Sequence, residues 1–212
     1  PPDSRGDPAP DILAQMHTWA WQRPDIDPML ALGMVGILRM GGALDWRPVF
    51  WASGDRAAGK STFQDMLRHL LGGDKGVIKS ADATKSGITS QIGHSSLPVL
   101  LDEVEPGDDD GKKEKALVDL ARIAASGDQW LRGSADQKGA SGNVYSAFLF
   151  SSILIPGIMR PADRSRLIIL GLDRLPDDAP KPVIDPRTWR ARGARLTRIL
   201  IERWPTWDER LD

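Results

Sequence analysis

Residues 54–61 read Gly54-Asp55-Arg56-Ala57-Ala58-Gly59-Lys60-Ser61, the spacing GxxxxGK[ST]. Each fixed position has a physical job. The glycines let successive backbone N–H groups curl around phosphate oxygens. The lysine brings a point charge to the β- and γ-phosphates, and the hydroxyl after it can ligate Mg²⁺. A helix beginning there adds the positive end of its dipole. The flanks agree with this reading. Pro48-Val49-Phe50-Trp51-Ala52 reads as a buried strand. Phe63, Met66, Leu67 and Leu70 recur at i, i+3, i+4 and i+7, one apolar helix face. Strand, glycine loop and helix together make Gly54, Asp55, Arg56, Ala57, Ala58, Gly59, Lys60, Ser61 and Thr62 the candidate nucleotide-binding set.

Working outward, the 212 residues suit one domain with appendages, and 41% hydrophobic residues are enough for a sizeable core. The formal net charge of −1 means that any nucleic-acid contact must come from a local patch or pore. There is no cysteine, which excludes a disulfide framework and a thiolate metal site. His17, His69 and His94 lie far apart and suggest no zinc site. No apolar run approaches the roughly 20 residues of a membrane span. No secretion signal is visible, so a cytoplasmic protein without membrane contact is expected. The start at Pro1 rather than Met suggests a piece of a longer protein or a processed form.

Residues 1–10 hold four prolines and read as a disordered tail. Residues 11–45 read as an N-terminal helical segment, with helices over 11–21 and 28–40, the second stopped by Gly41-Gly42. Alternating strands and helices over 46–175 follow, the signature of an α/β layer architecture. Strands are predicted at 47–53, around Val77-Ile78, and at 97–101, 147–152 and 166–172. Helices are predicted at 60–71, 84–93 and 113–125. Residues 176–212 read as a linker and a basic C-terminal helix, 187–204.

Val99-Leu100-Leu101-Asp102-Glu103 is a buried strand ending in two acids, at the end of the sheet where ligands bind in open α/β folds. Asp102 is the candidate Mg²⁺ ligand with Ser61. Glu103 is the candidate base that orients and deprotonates water. The extra carboxylate favours ATP hydrolysis, and no Asn-Lys-x-Asp guanine-reading tetrapeptide occurs. Ser151 and Ser152 end the strand Phe148-Leu149-Phe150-Ser151-Ser152, where a polar tip can touch the γ-phosphate; Ser152 joins Lys60 and Glu103 as a catalytic candidate. Arg160, Arg164 and Arg166 precede the last strand, and an arginine crossing a subunit boundary can stabilise the transferring phosphoryl group. Arg164 is the first choice, then Arg160.

These motifs resemble the AAA+ ATPases, and within them the superfamily-3 helicase modules of phage, plasmid and prophage primase-helicases. The likeness covers roughly residues 45–175 and rests on GDRAAGKS at 54–61, SADATKSGI at 80–88, VLLDE at 99–103, FLFSS at 148–152 and ADRSRLIIL at 162–170. It implies a parallel sheet of strand order 5-1-4-3-2, a ring that is commonly a hexamer, and ATP between subunits. It also implies a β-hairpin lining a pore that grips single-stranded DNA. Residues 129–146 sit where that hairpin belongs. Its polar tip is expected over 133–142, and Lys138 and Arg132 are its cations, able to hold phosphates without reading sequence. Primase or other domains would lie elsewhere in a longer protein. The third motif of such helicases commonly ends in Asn, where this chain has serines. The reading is therefore an ATP-driven helicase core of a mobile-element replication protein. The alternative is an ATP-gated switch or assembly ATPase that unwinds nothing. The arginines of the C-terminal helix, Arg187 to Arg203, read mainly as the solvated face of an amphipathic helix.

Overall fold

The computed structural model describes residues 6–104, 111–132, 140–155, 157, 159 and 161–207. Its centre is a five-stranded parallel sheet made of β1 (Val49–Ser53), β2 (Ile78–Ser80), β3 (Val99–Leu101), β6 (Phe148–Ser152) and β7 (Leu167–Gly171). The spatial order is β2-β3-β6-β1-β7, with every pairing parallel. Counting only these strands in chain order and reading from the far edge, this is the expected 5-1-4-3-2. Two antiparallel strands, β4 (Gln129–Arg132) and β5 (Ala140–Asn143), form a separate ribbon.

The central strands are apolar up to their carboxyl ends because both faces are covered. Side chains alternate between two cores. Phe50, Ala52, Leu100, Leu149 and Leu170 face α1 (Ala9–Met16), α2 (Asp27–Met40), α3 (Lys60–Leu70) and α7 (Pro186–Arg203). Val49, Trp51, Val99, Leu101, Phe148 and Phe150 face α4 (Lys85–Ile92) and α5 (Lys112–Ser126). Trp51 stacks on Phe150 with ring centroids 4.7 Å apart. A short helix, α6 (Pro161–Arg164), comes just before β7 and carries no apolar periodicity that would reveal it in sequence.

The first helix differs from its expected span of 11–21: it begins at Ala9 and ends at Met16. The chain then turns to lie against the end of β7. Trp21 bridges Leu172 in antiparallel sense, Gln22 N–H donates to Gly171 O at 2.9 Å, and Asp173 N–H to Ala20 O at 2.7 Å. Trp21 Nε1–H closes the helix end by donating to Met16 O at 2.6 Å. These long-range bonds outcompete one more helical turn, whose carbonyls they satisfy instead.

α7 packs on α3 at backbone contact. Gly193 permits this, since a Cβ there would strike the Leu70 carbonyl. Its start is capped by Asp185, whose carboxylate accepts from Thr188 N–H at 2.8 Å. Two of its arginines have acidic partners elsewhere than on α3. Arg192 pairs with Asp11 at 3.0 Å and lies 4.7 Å from the Trp189 ring centre, and Arg198 pairs with Glu202 at 2.7 Å.

Arg47, 1% exposed, is the one buried arginine in the described core, and it ties three regions together. Its guanidinium donates to Ala124 O, Gly41 O and Leu44 O at 2.5–2.8 Å and lies over the Tyr145 ring. Three carbonyl acceptors offset the cost of burying its charge.

Candidate nucleotide-binding site

The parallel register brings four strand ends to one edge of the sheet. Ser53 aligns with Ser152 and Gly171, and Leu101 with Phe150. The loop 54–59 leaves β1 at this edge and runs into α3. Residues 56–62, Asp102, Glu103, Ser152 and Ile153 line a cleft of about 620 Å³ there. The loop has an unusual backbone. Gly59, just before α3, has φ +86°, and Ala57 has φ +64°. Such a conformation suits glycine but strains alanine by about 1–2 kcal/mol. Gly54 lies so close to the Leu172 carbonyl that no Cβ would fit.

Lys60 extends back over the loop, where Nζ donates to Gly54 O at 2.5 Å and Asp55 O at 3.0 Å. Ser61, on the first turn of α3, donates to Asp102 Oδ2 at 3.1 Å. A hydroxyl and a carboxylate in contact, both hard oxygen donors, suit Mg²⁺ rather than a softer metal. The backbone after β3 is pinned on both flanks. Asp102 N–H donates to Ser80 O at 2.9 Å and Val104 N–H to Ser151 O at 3.0 Å. Glu103, held between them, is forced to φ +53°, and its N–H donates to Asp102 Oδ1 at 3.1 Å. Its side chain is exposed in the cleft. A non-glycine residue held left-handed costs of order 1–3 kcal/mol, and such strain gathers at working sites.

The two serines ending β6 part company. Ser152, expected at the phosphate end, lines the cleft, but its hydroxyl accepts from Trp51 Nε1–H at 2.8 Å and donates to Leu154 O at 2.6 Å. Ser151 donates to Asp102 Oδ1. Strand alternation is the cause: Ser151 shares its side with Leu149, toward α3, and Ser152 shares the other with Phe150.

Two residues that sequence reasoning missed also belong to the site. Gln64 is fully buried beneath the loop, and its amide nitrogen reaches Ser151 Oγ at 3.0 Å and Leu101 O at 3.3 Å. Trp19, from the N-terminal segment, donates from Nε1 to Gly59 O at 3.1 Å. It also meets Phe63 edge-on at 5.5 Å, as Trp21 does at 5.4 Å. No short motif announces either residue, because both act across long sequence separations.

Arg164 lies away from the cleft. Arg164 is exposed at the end of α6. Leu167, three residues on, pairs with Val49 at the opposite end of β1 from the loop. That places Arg164 at least a strand's length, roughly 13 Å, from its own chain's phosphate loop. Arg160 and Lys138 lie outside the described residues. Arg132 closes β4 opposite Ala140. The ribbon's β5 takes in Ala140 to Gly142, which the sequence reading gave to the polar tip. Its base is fixed where Asn143 Nδ2 donates to Gly127 O at 3.0 Å and to Tyr145 OH at 3.1 Å.

No protein-family model matches the chain, and no curated protein matches it. Among solved structures it is similar to the apo C-terminal region of NrS-1, at TM-score 0.50 and 15% identity over 91% of this chain. It is also similar to JCV helicase solved with a bound thiazolopyridine acetamide, at TM-score 0.49 and 12% identity over 97% of this chain. The chain spans 44% and 61% of those two chains. The first likeness shows a shared fold. With the phosphate loop at the carboxyl edge of a 5-1-4-3-2 sheet, the architecture is that of a P-loop NTPase core.

Proposed function

We propose that this chain is the ATP-hydrolysing core of a nucleic-acid motor, the helicase module of a mobile-element replication protein. One observation carries the nucleotide part: Ser61 and Asp102, 41 residues apart in sequence, meet at 3.1 Å in a cleft that also holds Lys60 and Glu103. Amides of residues 54–61 would cradle the phosphates. Lys60 would exchange the Gly54 and Asp55 carbonyls for phosphate oxygens, a swap of neutral acceptors for charged ones. Ser61 and Asp102 would hold Mg²⁺, which when bound neutralises charge on the phosphate oxygens. Glu103 would orient and deprotonate the attacking water.

Arg164 cannot serve its own loop across the sheet, and its exposure suits a role at a neighbour's site. That supports self-association into a ring, a hexamer by resemblance, in which each site is completed by the next copy. The ribbon β4–β5, with Arg132 and Lys138, would grip single-stranded DNA through its phosphates.

The test is hydrolysis of Mg-ATP with and without single-stranded DNA, beside nucleotide binding. Lys60→Ala is expected to lose both binding and turnover. Glu103→Gln is expected to keep binding and lose turnover; brisk hydrolysis by that variant would reject the base. DNA stimulation unchanged in Lys138→Ala would reject the ribbon's part and favour an ATP-gated switch.

A further inference from the structure

Gln64 lies one helical turn beyond Ser61 on α3, with no exposed surface. Its Nε2 donates to Leu101 O at 3.3 Å and to Ser151 Oγ at 3.0 Å. A peptide carbonyl can only accept, so the nitrogen, not the oxygen, must face Leu101. That choice sets the direction of everything downstream. Ser151 Oγ accepts from Gln64, so its single proton goes to Asp102 Oδ1. The other carboxylate oxygen, Oδ2, takes the proton of Ser61. The chain of bonds therefore closes on itself: Ser61, Asp102, Ser151, Gln64, and back through one turn of α3.

We propose that Gln64 is a positioning residue for the metal-binding acid, acting through Ser151 to hold the Asp102 carboxylate turned toward Ser61. The proposal rests on the nucleotide-site reading above and adds to it a residue that no motif marks. Space-filling does not explain a glutamine here. An apolar side chain of similar volume would fill the gap without the desolvation cost of an amide. Gln64 Oε1 is buried with no hydrogen-bond partner among the described residues, so the fold tolerates that cost for what the nitrogen does. A residue that orients a metal-binding carboxylate acts selectively on metal-dependent affinity. Loop amides and Lys60 bind phosphate without it.

The experiment is calorimetric titration of the full chain with a non-hydrolysable ATP analogue, in Mg²⁺ and again in EDTA. Gln64→Met keeps the volume and helix preference and removes the donor; Ser151→Ala removes the next link. Each variant is expected to weaken binding in Mg²⁺ by roughly tenfold or more while changing binding in EDTA by less than about twofold. The double variant is expected to be no weaker than either single one, because both cut the same chain of bonds. Equal weakening in the two media, or none in either, overturns the relay. If Gln64→Met does not fold, Ser151→Ala carries the same metal-selective expectation, and a loss there that ignores Mg²⁺ overturns it too. A wild-type chain that binds in neither medium removes the nucleotide site, and the relay with it. Wild-type binding with unselective variants removes only the relay.

Discussion

The two ends of the central sheet follow contrasting plans. At the carboxyl edge, groups from β1, β3, β6, α3 and the N-terminal segment satisfy one another. Lys60 sits on loop carbonyls, Ser61 and Ser151 on Asp102, Gln64 on Ser151, and Trp19 on Gly59. At the amino edge, Arg164 is exposed at the end of a short helix. A site whose donors and acceptors are already aligned loses little entropy on binding and needs little reorganisation during reaction. An exposed arginine has no such preparation and gains its electrostatic worth only when another molecule excludes water around it. On the proposed function, the carboxyl edge would bind from within one chain, and the amino edge would act on something brought to it.

The sharpest way to break the comparison is at its catalytic end. Lys60→Ala is expected to take both nucleotide binding and hydrolysis to background. Glu103→Gln is expected to lower turnover by roughly 10²–10⁴-fold while leaving nucleotide affinity near that of the wild type. A phosphate-release assay beside calorimetry separates the two. If both variants lose affinity alike, Glu103 is shaping the cleft rather than serving the water.

The amino edge gives the next largest effect. Arg164→Ala is expected to cost about 10³-fold or more in turnover if it completes a neighbour's site. Mixing Arg164→Ala with Lys60→Ala sharpens the test. In a mixed assembly, a copy with an intact loop can sit beside a copy with an intact arginine, so the blend should regain activity that neither variant has alone. Steady-state hydrolysis across mixing ratios measures it, and a blend as inactive as its parts would reject the action of Arg164 across the subunit boundary.

The same contrast explains what could be read from the chain beforehand. The loop 54–61 is legible because its chemistry is local: contiguous residues supply the amides, the lysine and the hydroxyl. Buried strands such as Val99–Leu101 announce themselves by unbroken apolar character. Residues that act across the fold leave no such trace. Gln64 interrupts an apolar helix face by one polar letter, which in isolation reads as surface. Ser151 and Ser152 were separable only by knowing which side of β6 carries α3. The first helix stops at Met16 because Trp21 finds Leu172, a partner some 150 residues away that no window of sequence contains.

Trp19 offers a smaller effect that joins the N-terminal segment to the carboxyl edge. Trp19→Phe keeps a ring against Phe63 and deletes only the donor to Gly59 O. One neutral hydrogen bond is worth about 1 kcal/mol of stability, so the melting temperature is expected to fall by roughly 2–4 °C and nucleotide affinity by up to roughly fivefold as the loop loosens. Titration by calorimetry with a parallel thermal melt checks it. A melt that falls while affinity holds would make Trp19 a packing residue and detach the segment from the site.

The smallest expected effect concerns α3 itself, the helix that leaves the phosphate loop. His69 is 4% exposed and near the far end of α3 from the loop. Burial holds its pKa below the ordinary imidazole value, with Arg68 and, more weakly, Arg190 pushing the same way; Asp65 and Asp74 pull against them. The folded chain therefore takes up the His69 proton at lower pH than the unfolded chain does. Between those two values the unfolded state binds more protons, so stability rises with pH there. His69 contributes stability that is present above about pH 6.5 and is lost as pH falls through its depressed folded value. Wild type is expected to lose more of its melting temperature than His69→Gln between pH 7 and pH 5. Thermal melts of both proteins across that range measure the difference. Parallel curves would mean that Asp65 accommodates the charged ring, and that the rear of α3, unlike its loop end, is indifferent to charge.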